Sequence, residues 1–307
     1  MKEFDTVIIG GGPAGLSAGL YAARANMKAV VIEKAEPGGQ MTTTSDVDNY
    51  PGSIENPTGI GLSMRMKDQC KTFGTEIAKE TVSSIDKEED RFIVKTDKNE
   101  YEAKTVIAAT GSNPKKIGCK GEDQFRGMGV SYCATCDGFF FKDMTVAVVG
   151  GGDSAMDEGI FLTKFAKEVI VIHRRDELRA AKSLQDKAFA NDKIRFVFDS
   201  VVEEIKGDNV VQAIDVKNVK TGEVEELKVD GVFVFVGYQP NGDLFEKFVE
   251  RDEDGFIIGD EDMKTSTEGL FVAGDLRKKS LKQVVTAAAD GAIAAVQAEK
   301  YIADKFE

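Results

Sequence analysis

The chain opens with a hydrophobic run, a glycine-rich turn and a helical pattern. Residues 4–9 are mostly apolar and lead into the glycine-rich segment 10–15, and a helical spacing of small and apolar residues then continues through Ala25. A second apolar run at 29–33 ends on an acid. Short continuous apolar runs are typical of strands buried on both faces of a parallel sheet. The pattern predicts strand, turn, helix and strand, which is the opening unit of a doubly wound fold.

The middle of the chain repeats this pattern. An apolar run at 144–149 is followed by a glycine-rich turn at 150–155, a helical pattern through Phe165 and a second apolar run at 168–173. Two such units predict an α/β protein with two Rossmann-like, doubly wound nucleotide-binding domains. With 307 residues and 42% hydrophobic composition, the chain is long and apolar enough to form both.

Turn-rich segments indicate where one domain gives way to the other. A buried-strand pattern at 105–111 precedes the turn-rich residues 112–114, and a second one at 232–237 precedes residues 239–242. An Ala-rich helical pattern from about Lys282 to Lys300 follows near the end of the chain. The second domain is therefore predicted to interrupt the first. The predicted segments are 1–112 and 243–307 for the outer domain and 113–242 for the inserted domain.

Charge and composition narrow the classes of function. A net charge of −13 favours a soluble protein and argues against nucleic-acid binding, which needs a basic surface. No apolar run approaches the roughly 20 residues that cross a bilayer, and the first residues lead directly into a strand pattern without a signal peptide. We therefore expect a cytoplasmic protein that does not bind membranes. In that reducing compartment its 4 cysteines are not expected to form a structural disulfide framework.

The first glycine-rich turn has the spacing of a dinucleotide-binding turn. Gly10, Gly12 and Gly15 occupy the three glycine positions, which permit a tight turn, approach of a pyrophosphate and close packing of helix on strand. Glu33 stands about 20 residues further on, where an acid accepts hydrogen bonds from ribose hydroxyls. The alternative is a plain glycine-rich turn with a surface glutamate. The order of strand, turn, helix, strand and acid favours a site for FAD or NAD.

The second turn has the related form Gly150, Gly152 and Ala155. At the matching strand end there is no acid; instead there is a basic cluster that consists of His173, Arg174, Arg175 and Arg179. Guanidinium groups at this place would bind a 2′-phosphate through bidentate hydrogen bonds, which selects NADPH over NADH. The alternative is an exposed basic helix start. One site for FAD and one for NADPH predict hydride transfer between them.

Two cysteines, Cys133 and Cys136, form a C-x-x-C pair. This spacing closes a small ring and allows one thiol to lower the pKa of the other, which indicates a redox-active pair. Structural zinc is the main alternative, but it needs four ligands, and the remaining cysteines, Cys70 and Cys119, are isolated from each other. A fortuitous pair of buried cysteines is the other alternative, although the flanking glycines favour an exposed loop.

A disulfide reductase must protonate the thiol that leaves its substrate. Histidine is the usual proton donor, but His173 is the single histidine of the chain and belongs to the basic cluster. Asp137, directly after Cys136, is the carboxylic acid nearest in sequence, and burial would raise the pKa of such a group. Asp137 could also simply begin a turn with Gly138, and the two roles are compatible.

At these residues the chain resembles the low-molecular-weight thioredoxin reductases over essentially its whole length. The resemblance lies in six segments, which occur in the family's order: 10–15, 38–41, 133–138, 150–155, 173–176, and 274–275 continuing into 283–287. It implies an FAD domain built from both chain ends, with an inserted NADPH domain that carries the C-x-x-C. It also implies a homodimer, a thioredoxin partner and two domains that rotate about hinges near 112–116 and 239–243.

The resemblance also implies further cofactor-binding residues. In the family, Asp275 faces the flavin ribityl chain, and Gln283 and Val284 lie beside the flavin. The other residues implied for FAD are Pro13, Ala14, Gly39, Gln40, Asn49, Thr110, Gly111, Gly274 and Lys282, and those implied for NADPH are Asp153 and Ser154. Lys282 departs from the family's usual arginine, so a bidentate contact becomes a point-charge contact there.

We therefore predict a flavoenzyme that passes electrons from NADPH through FAD to the Cys133–Cys136 disulfide and on to thioredoxin or a thioredoxin-like protein. Three alternatives remain open. The chain could be a flavin-binding redox sensor that signals rather than turns over. It could also be a related reductase that is fed by NADH or by ferredoxin.

Overall fold

The computed structural model describes residues 1–43, 47, 49–53, 55 and 58–306 of the chain. These residues divide into two compact units. Unit 1 combines Met1–Asn113 with Gln239–Glu307, and unit 2 is Pro114–Tyr238. The chain therefore leaves unit 1, forms unit 2 and returns. Two short connecting strands, one on each crossing between the units, pair with each other.

The elements, in chain order, have the following bounds. The strands are β1 (Lys2–Ile9), β2 (Ala29–Glu33), β3 (Glu76–Lys79), β4 (Val82–Glu88), β5 (Arg91–Thr96), β6 (Glu100–Ala108), β7 (Ser112–Pro114), β8 (Val130–Ser131), β9 (Thr145–Val149), β10 (Glu168–Ile172), β11 (Ile194–Val197), β12 (Ser200–Gly207), β13 (Val211–Asn218), β14 (Val224–Lys228), β15 (Gly231–Val234), β16 (Tyr238–Pro240) and β17 (Leu270–Val272). The α-helices are α1 (Pro13–Arg24), α2 (Gly59–Thr72), α3 (Ala134–Asp137), α4 (Asp153–Leu162), α5 (Lys182–Phe189) and α6 (Val284–Phe306). Short 3-10 helices cover Gly39–Thr43, Gly138–Phe141, Asp243–Phe245 and Gly274–Leu276.

Unit 1 is built on a sheet with the strand order β3-β2-β1-β6-β5-β4, in which β17 also pairs with β6. β1, β2, β3, β6 and β17 are parallel, and Ile8 of the central strand lies between Val31 and Ile107. α1 and α6 pack together against one face, and a Cβ on Gly291 would overlap the carbonyl oxygen of Ala14. This close helix contact anchors the start of α1 at the carboxyl edge of the sheet.

Unit 2 contains a parallel sheet of order β11-β10-β9-β15-β8 and an antiparallel sheet of order β12-β13-β14. Ile172 and Val232 of the parallel sheet pack with Ile205 and Ile214 of the antiparallel one. On the other face, α4 contributes apolar side chains such as Leu162 to a second buried cluster. The carboxyl ends of β9 and β10 therefore lie at one edge of the sheet, beside the start of α4.

The parallel strands of these two sheets, of which the sheet of unit 1 also contains the antiparallel strands β4 and β5, agree with the predicted α/β class. Within the described residues, no helix is both long and apolar enough to cross a membrane. The first predicted strand and helix occur as β1 and α1, and the second pair as β9 and α4. The predicted boundaries lay after residues 112 and 242, whereas the compact units divide after Asn113 and Tyr238.

Candidate active site

The first glycine-rich turn connects β1 to α1 and depends on its glycines. Gly10 has a φ of +109°, and a Cβ there would overlap the carbonyl oxygen of Ala109. A Cβ on Gly15 would overlap the carbonyl oxygen of Gly10, so this glycine allows α1 to lie against the turn. At Gly12, by contrast, the nearest atom to a Cβ would be the Gly39 Cα at 3.9 Å, so this side of the turn is open.

The start of α1 offers backbone N–H groups to an anion. Gly12 is the N-cap and supplies no side-chain hydrogen bond, Pro13 begins the helix, and the first turn contains no acid. Uncapped N–H groups at a helix N-terminus bind phosphate oxygens. Glu33, at the end of β2, accepts hydrogen bonds from the N–H of Gly11 at 2.7 Å and of Ala35 at 3.0 Å. Its carboxylate is thereby held beside the turn.

Several residues predicted to bind flavin are brought to this turn. Gly39 has a φ of +58°, and a Cβ there would meet the Gly12 Cα at 3.2 Å. A Cβ on Gly274 would meet the Ala14 Cβ at 2.8 Å, so the segment that carries Asp275 passes directly beside the start of α1. Glycine at these positions lets three separate backbone segments approach closely.

Other predicted flavin-binding residues form hydrogen bonds within unit 1. The side chain of Asn49 donates to Gln283 at 3.0 Å, and that of Gln40 donates to Asn113 at 2.6 Å. The Thr110 hydroxyl donates to the carbonyl of Asn241 at 2.6 Å. Gly111 has a φ of +68°, and Val284 begins α6 and packs on a small apolar cluster that contains Met41 and Leu62.

Asp275 is a buried acid with an unsatisfied oxygen. Its Oδ1 has no hydrogen-bond partner within the described residues, although Lys279 lies 3.6 Å away as an ion-pair partner. Burial raises the pKa of Asp275, and the charges of Lys279 and Lys282 oppose that rise. A buried acceptor without a partner fits a ligand that donates hydroxyl groups. With the open turn and the uncapped helix, this residue set fits FAD.

Lys282 does not resemble a simple solvent-exposed lysine. Its Nζ lies 4.0 Å from the ring centre of Phe256, a cation–π contact. Burial lowers the pKa of Lys282, and the neighbouring Asp275 opposes that effect. The side chain therefore lies near Asp275 and is partly desolvated, at the position where the sequence resemblance led us to expect arginine.

The second glycine-rich turn connects β9 to α4. Gly150 has a φ of +151°, and a Cβ there would overlap the carbonyl oxygen of Phe235. A Cβ on Gly151 would overlap the ring of His173, whereas nothing lies within 4 Å of a Cβ on Gly152. Gly152 caps α4 without a side-chain hydrogen bond. Like the first turn, this one combines tight backbone packing with an open side at a helix N-terminus.

The first turn of α4 carries the predicted residues Asp153 and Ser154, both exposed. The Asp153 carboxylate accepts a hydrogen bond from the N–H of Ala181 at 2.6 Å. That bond ties the segment after the basic cluster to the start of α4, so both sides of the predicted NADPH site are held together.

The basic cluster follows β10. His173 is buried, its Nε2 has no hydrogen-bond partner within the described residues, and burial together with the charge of Arg179 lowers its pKa. Arg174, Arg175 and Arg179 are exposed, and no ion pair or hydrogen bond engages their guanidinium groups in the part of the chain that is described. The nearby Asp176 is instead paired with Lys220 at 3.0 Å. Three unpaired guanidinium groups beside an open helix start fit a phosphorylated nucleotide.

Cys133 and Cys136 form a disulfide, with 5.3 Å between their Cα atoms. Cys133 is the N-cap of the short helix α3, and its Sγ accepts a hydrogen bond from the Cys136 N–H at 3.2 Å. Among the described residues, no group of three or more His, Cys, Asp or Glu side chains could hold a metal ion. Both cysteines and the second glycine-rich turn lie in unit 2.

Asp137 ends α3 and is held by a serine that the sequence did not indicate. The Ser131 hydroxyl donates to the Asp137 carboxylate at 2.6 Å and accepts from the Cys133 N–H at 3.1 Å. Ser131 therefore joins the predicted acid to the backbone of the first cysteine. A serine two residues before a cysteine has no distinctive sequence signal, because its role depends on the turn that brings Asp137 back towards it.

Comparisons with known proteins agree with this geometry. Residues 4–291 match the family model described as pyridine nucleotide-disulphide oxidoreductase. Thioredoxin reductase of Peptoclostridium litorale is 53% identical to this chain, and the match covers 99% of this chain and 98% of that protein. Thioredoxin reductase of Bacillus subtilis (strain 168) is 45% identical, and the match covers 100% of this chain and 97% of that protein. The chain belongs to this oxidoreductase family, in its thioredoxin reductase group. The crystal structure of thioredoxin reductase from Streptococcus pyogenes MGAS5005 matches with a TM-score of 0.94 and 48% identity, covering 98% of this chain and 99% of that one.

Membership of the thioredoxin reductase group confirms the predicted family, the α/β fold class and the prediction of an oxidoreductase of this type. The thioredoxin reductase from Giardia duodenalis, 37% identical over 99% of this chain and 100% of its own, has a TM-score of 0.93. The family uses a flavin and a pyridine nucleotide. The individual roles of the site residues and the choice of NADPH stay predictions.

A buried ion-pair cluster beside Asp275 was missed at the sequence level. Asp290 of α6 accepts a hydrogen bond from the Gly274 N–H at 3.0 Å and pairs with Lys279 at 3.1 Å and Arg277 at 3.3 Å. These residues fix the backbone on which Asp275 stands. Asp290 lies in a segment whose composition predicts only an Ala-rich helix. The cluster becomes evident only from the contacts of Asp290 with the segment that contains Gly274 and Lys279.

Proposed function

We propose that this member of the thioredoxin reductase group transfers reducing equivalents from NADPH, through FAD, to its Cys133–Cys136 disulfide and from there to thioredoxin or a thioredoxin-like protein. The observation that carries the proposal is the combination of two open glycine-rich helix starts with a C-x-x-C disulfide in one chain. Electron carriers of two kinds and a dithiol form a complete relay.

The flavin is proposed to bind in unit 1. The N–H groups at the start of α1 would hold its pyrophosphate, Glu33 would accept hydrogen bonds from ribose hydroxyls, and Asp275 would accept from the ribityl chain. When bound, FAD would supply an acceptor for a hydride from NADPH and a source of two electrons for the disulfide. Residues 1–112 and 243–307 are the proposed FAD domain, and residues 113–242 the proposed NADPH domain.

The nucleotide specificity is proposed to come from the basic cluster. Arg174 and Arg175 would bind the 2′-phosphate of NADPH through charge-assisted hydrogen bonds, with Arg179 as a third cation. His173 packs under the turn at Gly151, so its buried ring supports the turn rather than contacting solvent. NADH lacks the phosphate and would lose these contacts.

The partner disulfide is proposed to be reduced by thiol–disulfide exchange. One cysteine of the reduced pair attacks the partner disulfide as a thiolate, which forms a mixed disulfide and releases one partner thiol. The other cysteine then attacks the mixed disulfide and releases the partner sulfur that was bound in it. Two electrons pass to the partner, and the Cys133–Cys136 bond forms again. Asp137 would donate a proton to the departing thiolate, with Ser131 holding its carboxyl group in place.

The proposal is tested by stopped-flow flavin reduction with NADPH and with NADH, followed by addition of candidate thioredoxins. We expect fast bleaching of the flavin with NADPH, slow bleaching with NADH and reoxidation by a thioredoxin disulfide. Equal rates with both nucleotides would support the NADH-fed alternative. Bleaching by reduced ferredoxin alone would support a ferredoxin-fed enzyme, and bleaching without reoxidation by any thioredoxin would support a redox sensor.

A further inference from the structure

A glutamate from α4 lies behind the C-x-x-C segment. Glu158 stands one turn into α4, and α4 packs against α3, the helix that begins at the redox pair. The backbone N–H groups of Ala134 and Thr135, the two residues between the cysteines, lie close enough to the Glu158 carboxyl group to lower its pKa. Both helices belong to unit 2, so this arrangement is internal to one compact body.

The surroundings of Glu158 compensate its charge poorly. Its Oε2 is buried without a hydrogen-bond partner among the described residues. Burial raises the pKa of Glu158, the N–H groups of Ala134 and Thr135 oppose that rise, and the charge of Asp157 adds to it. The charged neighbour is thus an acid on the same helix, while α3 contributes backbone N–H groups and ends in a second acid, Asp137.

The same backbone N–H groups belong to the first turn that Cys133 caps. Cys133 Sγ accepts a hydrogen bond from the Cys136 N–H at 3.2 Å, so a thiolate on Cys133 would face the positive end of this turn. N–H groups at such a turn lower the pKa of a thiol and stabilise its thiolate. A buried carboxylate beside this turn reduces that stabilisation, because it places a negative charge near the positive end that the thiolate would face.

We propose that Glu158 is a positioning residue that keeps the reduced Cys133–Cys136 pair a strong reductant by disfavouring its thiolate. The inference rests on the proposed redox role of this pair. Reduction breaks the disulfide, takes up two electrons and one proton, and leaves one thiolate and one thiol. A dithiol whose thiolate is destabilised gives up electrons more readily, whereas thiolate stabilisation makes a disulfide a stronger oxidant.

The test is the equilibrium of the Cys133–Cys136 pair with dithiothreitol redox buffers, in the full-length holoprotein. Reduced and oxidised forms are counted by acid quenching and maleimide gel shift. At pH 8 we expect Glu158→Gln to increase the equilibrium constant for reduction of the disulfide by about threefold to tenfold, because the amide has the same shape as the carboxylate and removes the charge. The assay needs no NADPH or thioredoxin, so its outcome is separate from that of the proposed function.

A second pH and a matched variant distinguish charge from structure. Once the pH is low enough for the thiols to bind protons, no thiolate remains for the carboxylate to destabilise, so we expect the difference between Glu158→Gln and the unmodified protein to disappear at pH 5. A general structural effect would shift the constant equally at both pH values and would overturn the proposal. Glu168→Gln removes a surface carboxylate of unit 2 that pairs with Arg195 at 3.1 Å, and it should leave the constant unchanged.

Thiol reactivity gives an independent readout. In the reduced protein, the pH at which iodoacetamide alkylation of the redox pair is half-maximal should be lower in Glu158→Gln than in the unmodified protein, because the thiolate forms more easily. Unchanged alkylation profiles together with unchanged dithiothreitol equilibria would overturn the proposal. A disulfide that becomes harder to reduce in Glu158→Gln would also overturn it.

Discussion

The environments of the cysteine residues divide them into two kinds. Cys133 and Cys136 are joined in a disulfide at the start of α3. Cys70 is buried and donates a hydrogen bond to the carbonyl of Leu16, and burial raises its pKa to about 11. Burial also raises the pKa of Cys119 to about 11. A thiol with such a pKa forms almost no thiolate near neutral pH and is a poor nucleophile, so only the C-x-x-C pair is suited to disulfide exchange.

Replacement of one redox cysteine should separate the two halves of the reaction. We expect Cys136→Ser to retain bound flavin and the oxidation of NADPH by artificial electron acceptors but to lose thioredoxin reduction, because no disulfide can form at position 133. Cys119→Ser is the matched control and should retain thioredoxin reduction. Both are measured by NADPH consumption with ferricyanide and with thioredoxin. Thioredoxin reduction at the full rate in Cys136→Ser would contradict the proposed relay.

At the scale of elements, the parts that follow local patterns were predicted well. The two strand–turn–helix units could be located because the apolar periodicity and the glycine spacing of the motif are local in sequence, although Gly10 and Gly150 also pack against the distant carbonyls of Ala109 and Phe235. The helix of the second unit, α4, ends at Leu162 rather than Phe165, because the N–H groups of residues 163–165 bond to carbonyls three residues back instead of four. The antiparallel sheet of β12, β13 and β14 was not predicted, because its strands mix polar and apolar residues and their pairing partners are set by tertiary contacts.

The glycines of the first turn should tolerate alanine differently. In Gly15→Ala the new Cβ would overlap the Gly10 carbonyl, and this clash would push α1 away from the turn. We therefore expect the free energy of unfolding to fall by about 2 kcal/mol or more and the bound flavin to be lost. In Gly12→Ala the Cβ enters open space. That protein should fold with nearly unchanged stability when free of flavin, yet bind FAD more weakly, because the methyl group occupies the approach of the pyrophosphate.

These expectations are checked by urea unfolding of the flavin-free proteins and by FAD titration monitored through flavin fluorescence. A Gly12→Ala protein that binds FAD as tightly as the unmodified chain would contradict the placement of the pyrophosphate at this turn. If both variants lost the same stability, the distinction between the packed and the open side of the turn would be wrong.

The end of β10 should determine the choice of nucleotide. We expect Arg174→Ala combined with Arg175→Ala to raise the KM for NADPH by about tenfold or more while changing the KM for NADH little, because charge-assisted contacts to the 2′-phosphate are lost. The control is Arg195→Ala, which removes a cation from the same sheet that is already paired with Glu168. Steady-state kinetics with both nucleotides measure the effect. An equal rise in both KM values would remove the 2′-phosphate assignment.

At the scale of the whole molecule, long-range contacts decide where the units divide. The turn-rich residues 239–242 suggested a boundary after 242, but the compact units divide after Tyr238. Asn241 accounts for the difference: its carbonyl accepts from Thr110, and its side chain donates to the Thr110 carbonyl at 3.0 Å. Composition indicates a linker, but it does not indicate the unit to which each linker residue bonds. The roles of Ser131 and Asp290 could not be predicted for the same reason, because they depend on contacts that only the folded chain forms.

Unit 1 carries an exposed apolar surface that a homodimer, which the family resemblance implies, would cover. A groove between α1, α2 and α6 is lined by side chains that include Leu20, Tyr21, Met66, Val285 and Ala289. Tyr21 is 45% exposed and Val285 is 41% exposed, on adjacent helices. Apolar patches of this kind are typical of subunit interfaces, and the resemblance to homodimeric reductases makes a second copy of this chain the expected occupant.

A charge placed in this groove should therefore dissociate the dimer. We expect sedimentation velocity of the unmodified protein at micromolar concentration to give twice the chain mass of 33.3 kDa. The control is Val210→Glu, which places the same charge at a position of unit 2 that is 52% exposed, and it should give the same mass. Tyr21→Glu should sediment as a monomer, because pairing two copies would bury an uncompensated carboxylate in each. Since the groove is separate from the glycine turns, the variant should still bind FAD. A dimer that persists in Tyr21→Glu would place the subunit interface elsewhere, and a monomeric unmodified protein would contradict the homodimer itself.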